Sequence, residues 1–247
     1  MELLSTGIPI LDDALGGGLL EDSNILIVYD SYSNGWTLAF EILRNRIMEG
    51  DFGVILDSVL PFTPLKMELG LIRFDIEEFG KKNNLAIVDL FSSIYGVDYP
   101  LDFVYTNKSI DTSTFVPKYN YLYRRILEEK IKDRRPIGID FTIDGLAFLF
   151  GEDNFIKLFQ NLIALKEKAR ITEKRKRPIN IFLLNKGRAS ERLTAWIALY
   201  SQYVIEFCSS SKTFREKMVI RKSPLPDFKP KEGGYDFWIG EGQVHIE

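Results

Sequence analysis

ILIVYDSYSNGWTLAFEILRNRIMEG, residues 25–50, decides the fold. Ile25–Tyr29 is a short β-branched, apolar run, the next eight residues, Asp30–Thr37, carry turn chemistry around Asn34-Gly35, and helical text follows from Leu38. A buried strand that passes through a tight loop into a helix is the repeating unit of a parallel sheet covered by helices on both faces. The alternation continues outward. Strands are expected at Gly53–Asp57, Leu85–Asp89, Ile137–Phe141, Asn180–Leu184 and Tyr203–Phe207, with helices between them. Pro117 to Lys132 sets Tyr119, Leu122, Tyr123, Ile126 and Ile131 on about one face, and Phe155, Leu158, Phe159, Leu162 and Leu165 do the same in a second helix. Beyond Ser209 the text changes to antiparallel strands at Lys212–Arg221 and Gly234–Glu247, with a hairpin turn within Ile239–Gln243. Leu101 to Val116 has no clear period and is expected to be a long connection. No repeat or linker divides the chain, so residues 1–247 are expected to form one domain.

With 247 residues, 45% of them hydrophobic, 27% charged and a net charge of -3, the chain has an ordinary globular composition and no whole-molecule attraction to nucleic acid. A single cysteine, Cys208, and a single histidine, His245, exclude an internal disulfide and a Cys/His metal cluster. No apolar run is long enough to span a membrane and no signal-peptide pattern opens the sequence, which predicts a cytoplasmic protein. Three glutamines among many Lys, Arg and Glu hint at a thermophile.

The strand, loop and helix of residues 25–50 form the setting of a phosphate-binding loop, GxxxxGK[ST]. That loop works because its amides converge on phosphate, its lysine neutralises charge and its hydroxyl holds magnesium. Matching Gly35 and Thr37 to the end of the motif puts Trp36 at the lysine and Asp30 at the first glycine. Aligning the helix without a gap puts Gly35 at the lysine and Trp36 at the hydroxyl. Neither register supplies the cation, no lysine precedes Lys66, and Asp30 adds negative charge where phosphates would sit. Tyr32 and Trp36 are candidate plugs of the pocket. Taken alone, the segment also reads as the strand-turn-helix of an unrelated α/β fold.

The opening STGIPILDDALGGGLLEDSNILIV resembles the start of RecA/KaiC-like ATPase domains. Thr6, Gly7, Leu11, Asp12, Leu15, Gly16, Gly17 and Gly18 fall on that family's T-G-[IV]-x-x-L-D-x-x-[LI]-G-G-G-[IL] pattern. The closing VIRKSPLPDFKPKEGGYDFWIGEGQVHIE is similar to the family's basic pair, loop and final hairpin, with Gln243 in place of a second glycine. The likeness is strong at both ends and weak between about residues 58 and 135. It implies a three-layer α/β/α RecA-like P-loop fold, a mostly parallel central sheet with antiparallel C-terminal strands, of an archaeal-type paralogue.

The resemblance places the family's catalytic glutamate pair on Asp57-Ser58, so the general base is shortened or missing. Its Walker B aspartate falls in GIDFTIDGLAFLFG, on Asp140 or Asp144, and Asp144 reads equally as a helix cap or turn residue. Arg221 or Lys222 corresponds to a cation that reaches the nucleotide of a neighbouring ring subunit, or is a solvated strand end. Asp30, Asn34, Gly35, Trp36, Thr37, Asp57 and Asp144 are therefore vestigial nucleotide-pocket positions, with no catalytic residue, metal or cofactor expected. The combined losses predict a pseudo-ATPase, a regulatory or structural paralogue acting through protein contacts with an active ring ATPase or with itself. Two readings stay beside it. One is an unconventional ATPase holding ATP and magnesium through Thr37, Asp144 and a trans-acting Arg221 or Lys222. The other is a nucleic-acid-binding recombinase paralogue using the basic run Lys166, Lys168, Arg170 and Lys174 to Arg177, which Glu167 and Glu173 interrupt and which otherwise reads as a solvated helix end. Tyr95, Tyr99 and Tyr105 near the irregular segment are candidates for a partner surface.

Overall fold

The apolar runs pair into one ten-stranded sheet in a computed structural model, which describes residues 2–210 and 213–247. A small ladder of β1 (Leu3–Leu4) and β2 (Leu19–Leu20) brackets α1 (Pro9–Leu15). The sheet begins with β3 (Asn24–Tyr29), followed by α2 (Thr37–Met48), β4 (Phe52–Asp57), α3 (Phe62–Leu69) and α4 (Ile76–Lys81). Then come β5 (Leu85–Asp89), α5 (Leu90–Tyr95), β6 (Val104–Tyr105), α6 (Phe115–Ile126), β7 (Pro136–Phe141), α7 (Ile143–Phe150) and α8 (Glu152–Thr172). The chain ends with β8 (Ile179–Asn185), α9 (Glu191–Leu199), β9 (Tyr203–Cys208), β10 (Glu216–Lys222), β11 (Tyr235–Gly240) and β12 (Gln243–Ile246).

The strand order is β12-β11-β10-β9-β3-β8-β7-β4-β5-β6. From β9 to β6 every pairing is parallel, and β10, β11 and β12 extend the sheet antiparallel. This is the three-layer α/β/α arrangement expected from the sequence. The two-residue period of a strand divides the core into two layers. Ile25, Ile27, Ile55, Ile139 and Phe141 face α1, α2 and α3 on one side. Leu26, Val28, Val54, Leu56 and Phe182 face α6, α7, α8 and α9 on the other. In β7 the odd residues Ile137, Ile139 and Phe141 join the first layer, so Gly138 and Asp140 point into the second.

The N-terminal pattern has a structural explanation. The Asp12 carboxylate accepts hydrogen bonds from the Thr6 amide at 2.8 Å and the Ser5 hydroxyl at 2.5 Å, closing the turn that enters α1. Gly16 ends α1 in the left-handed region at φ 92°, where a Cβ would meet the Phe228 amide nitrogen at 2.7 Å.

Some boundaries differ from expectation. Thr114 leads α6 in two residues before Pro117, and the α-helical part stops at Ile126, after which Leu127–Ile131 forms a π-helical turn. The connection 101–116 contains the two-residue strand β6, too short to give a periodic signal. Within the expected strand Lys212–Arg221, Lys212 lies outside the described residues, and β10 begins at Glu216. Among the described residues, no helix is long and apolar enough to cross a membrane.

Candidate functional site

The carboxyl end of β3 delivers residues 30–37 to the edge of the sheet, where a phosphate-binding loop would stand. Five of its amides, those of Tyr32, Ser33, Asn34, Gly35 and Thr37, are already bonded within the chain. The Tyr32 amide donates to Asp30 Oδ1 at 3.0 Å, Ser33 N to Asp30 O at 3.1 Å, and Asn34 N to Glu216 Oε1 at 2.6 Å. Gly35 N donates to Ser33 Oγ at 2.9 Å, and Thr37 N to Asn34 O at 2.9 Å. The Ser33 hydroxyl donates to the other oxygen of Glu216, so one carboxylate from β10 clasps two consecutive loop residues. The Thr37 hydroxyl, fully buried, donates to Asn34 O at 2.7 Å.

Asp30 is anchored in turn by the Ser209 amide and hydroxyl, each at 2.7 Å. Burial pushes its carboxyl up, but the Ser209 and Tyr32 hydrogen bonds, helped by Lys186, hold it below the usual carboxylate range. Glu216 is driven the other way, its burial raising it in spite of the Ser33 and Asn34 hydrogen bonds.

Trp36 is only 9% exposed. Its ring meets Phe40 edge-on at 5.8 Å and Phe141 at 6.0 Å, closing the space between the loop and the carboxyl end of β7. Gly35 lies against Phe207, and an added Cβ would sit 2.2 Å from that ring's Cγ. The glycine at this site serves close packing. Gly35→Ala is therefore expected to destabilise the fold by about 1–3 kcal/mol in urea unfolding, while an unchanged midpoint would mean that the Phe207 side is open.

Asp57 ends β4 in a buried position and accepts from the amides of Val59 at 3.1 Å and Leu60 at 3.2 Å. Burial first, and the nearby Asp89 second, push its carboxyl up to about 7 against those amides. Ser58 stitches β4 to the end of β7, its hydroxyl donating to Thr142 O at 3.0 Å. The two aspartates considered for the Walker B position separate. Asp140 faces the opposite layer from the loop. Asp144 lies in the first turn of α7, 1% exposed at its side chain, accepting from Asn185 N at 2.9 Å and Arg188 Nε at 2.7 Å. The helix cap read for Asp144 belongs instead to Thr142, whose hydroxyl accepts from Gly145 N at 3.1 Å. The β7 residue that faces Trp36 is Phe141.

Arg221 is paired within the chain to Glu206 at 2.7 Å, and Glu206 also holds Lys186 at 3.0 Å. Lys222 donates to the carbonyls of Ala198 at 3.2 Å and Ser201 at 2.5 Å, capping the end of α9. In the basic run, Lys166 pairs with Asp22 at 3.3 Å, Arg170 binds Asp22 and Glu167, and Arg177 donates to backbone carbonyls. Tyr99 packs on Phe62 at 5.5 Å and Tyr105 is buried beneath Arg125, which leaves Tyr95 as the exposed one of the three tyrosines.

Glu216, Phe141 and Phe207 complete the site and were not read from the sequence. Glu216 shares the parity of Met218 and Ile220, the buried face of β10, and a carboxylate on an inward face is a signal that it caps something.

No protein-family profile matches the chain. A UPF0273 protein of Aeropyrum pernix is 28% identical over 98 residues, 39% of this chain and 39% of that protein, so the matched stretch spans well under half of the relative. An uncharacterized protein of Pyrococcus horikoshii, whose crystal structure is in complex with an unknown peptide, superposes with a TM-score of 0.83 at 18% identity, covering 99% of this chain and 98% of that one. A KaiC-like protein from the same hyperthermophilic archaeon superposes with a TM-score of 0.69 at 17% identity over 100% of this chain and 99% of the other. The fold is thus KaiC-like.

Proposed function

We propose that this chain is a KaiC-like domain without nucleotide chemistry, in which the phosphate loop has become a packed junction, and that it works through protein contacts. One observation carries the reading: five amides of the loop already donate to acceptors of the chain itself, Asp30 taking Tyr32 and Ser33 and the Glu216 carboxylate taking Asn34. A magnesium-bound triphosphate does not fit these residues. It would have to displace Glu216 and Asp30, part Trp36 from Phe141, and do so without a lysine in the loop to offset the charge. Arg221 and Lys222 are engaged within the subunit, so neither is a free cation to lend to a neighbour.

Protein contact as the alternative draws support from the unknown peptide held by the Pyrococcus horikoshii neighbour. It also draws on the surface beside the loop. Tyr32 is 89% exposed and Phe214 fully exposed, in two segments joined through the Asp30–Ser209 hydrogen bonds. Aromatic side chains offered to solvent in this way are common anchors of interfaces.

Calorimetric titration with ATP and magnesium, run beside a phosphate-release assay, tests the first half of the proposal. The expected outcome is no heat of binding and no turnover, and micromolar binding would overturn it. For the second half, a peptide library displayed on phage should enrich a common motif on the wild-type protein and lose it on the Tyr32→Ala, Phe214→Ala double variant. Equal enrichment on both would move the contact surface elsewhere.

A further inference from the structure

On the face of the sheet away from the loop, α6 and α8 stand apart and leave a cleft of about 340 Å³ that reaches down to β4, β7 and β8. This is within the size range of small-molecule sites. Its floor is Leu56, Gly138, Asp140, Asn180 and Phe182. Asp140 sits in mid-sheet between Leu56 and Phe182, in register with both. Among the described residues its carboxyl has no hydrogen-bond or ion-pair partner, and burial alone pushes it up to about 7. Of the other polar groups at depth, Asn180 Nδ2 donates to Asn24 Oδ1 at 2.9 Å, and Lys166 reaches Asn24 Oδ1 at 3.0 Å and Asp22 at 3.3 Å. The walls are aromatic. Tyr119 and Tyr123 stack along α6 at 6.1 Å, and Phe159 meets Phe182 at 5.2 Å. The mouth is cationic, with exposed Arg124, Lys132, Lys168 and Lys176, none of them ion-paired among the described residues.

A lone carboxyl beneath aromatic walls is a costly arrangement for a core and a complementary one for an ammonium or amidinium group. Unpaired cations at the rim complement an anion. We propose that the α6–α8 cleft binds a slender zwitterion, an amine directed inward to Asp140 and a carboxylate held at the rim by Arg124, Lys132, Lys168 and Lys176. A helical layer is about 10–12 Å thick, which sets the separation expected between the two ends of the ligand. Gly138, on the same face of β7 as Asp140, brings no side chain of its own, and the Asn180 carboxamide packs there, its Oδ1 3.1 Å from where a Gly138 Cβ would stand. The site opens on the opposite face of the sheet from Trp36, so it stands whether or not the loop binds nucleotide.

The test is calorimetry at pH 8 with ω-amino carboxylates from aminohexanoate to aminodecanoate, and with octanoate and octylamine as single-charge controls. One member of the zwitterion series is expected to bind, with each control weaker by about 10- to 100-fold, the worth of one charged hydrogen bond. Asp140→Asn, nearly isosteric, should remove a similar factor for the zwitterion and leave octanoate unchanged. Lys132→Glu with Lys168→Glu should weaken the zwitterion and octanoate alike. Retained far-ultraviolet circular dichroism and thermal melting would show that both variants fold. Octanoate binding as tightly as the zwitterion, an Asp140→Asn protein that binds undiminished, or no binding by any member of the series would each overturn the assignment.

Discussion

Replacing Trp36 with alanine is expected to lower the unfolding free energy by about 3–5 kcal/mol without giving the protein any affinity for ATP. The side chain is almost wholly buried and touches Phe40 and Phe141 by ring edges, so truncation leaves a cavity in the first core layer. That cavity lies where a nucleotide phosphate would need to enter, which makes the variant informative about both stability and function. Glu216 and Asp30 still occupy the loop amides after the truncation, so space alone does not create an anion site. Urea unfolding and calorimetry with ATP and magnesium measure the two halves. If the variant bound ATP, the indole would be the sole barrier, and the clasp by Glu216 would be incidental.

Asp140→Asn is expected to act in the opposite direction and to depend on pH. In the unfolded chain this carboxyl titrates near 3.8, whereas in the fold burial raises it to about 7. The folded state therefore holds the proton more tightly, and the wild-type protein loses stability as pH climbs from about 4 through 7. The loss reaches at most about 4 kcal/mol near pH 8. Tyr119 of α6 interacts electrostatically with Asp140, Tyr123 of α6 and the Asp22-paired Lys166 of α8 line the same cleft, and β4 and β8 present Leu56 and Phe182. Both tyrosines are pushed above their ordinary value by burial, so they stay neutral through this range. The variant should match wild type near pH 4 and exceed it increasingly up to pH 8. Asp57 also titrates near 7, but it is common to both proteins and cancels in the difference. Parallel stability curves across the range would mean that Asp140 is paired in solution.

How far the sequence could be read depends on whether the information is local. β3, β4, β5, β7, β8 and β9 are short apolar runs bounded by loop text, and each was found within one or two residues because its signal lies inside its own span. The same holds for Thr6, Asp12 and Gly16, whose partners lie within a few positions except where Gly16 meets Phe228. The site was less legible because its parts meet through the sheet. Ser33 and Glu216 are 183 residues apart, and nothing near the loop indicates which carboxylate will clasp it. Gly35 read as turn chemistry, yet the constraint on it comes from Phe207 on β9. For Asp140 the signal was present: three apolar residues at odd positions of β7 assign the even ones to the other layer. Motif spacing alone leaves Asp140 and Asp144 as alternatives, and the parity of β7 separates them.

The position of β3 bears on how the protein is made. It lies in the centre of the sheet between β8 and β9, with Asn24 and Asn180 separated by 156 positions. On a ribosome moving at ~5–20 residues per second, its first partner emerges roughly 10–30 s after it does. For that interval the run NILIVY has neither neighbour and nothing to shield its backbone edges. The strand at the centre of the finished sheet thus waits for both its partners until most of the chain has emerged, and slower elongation through residues 30–180 lengthens that wait.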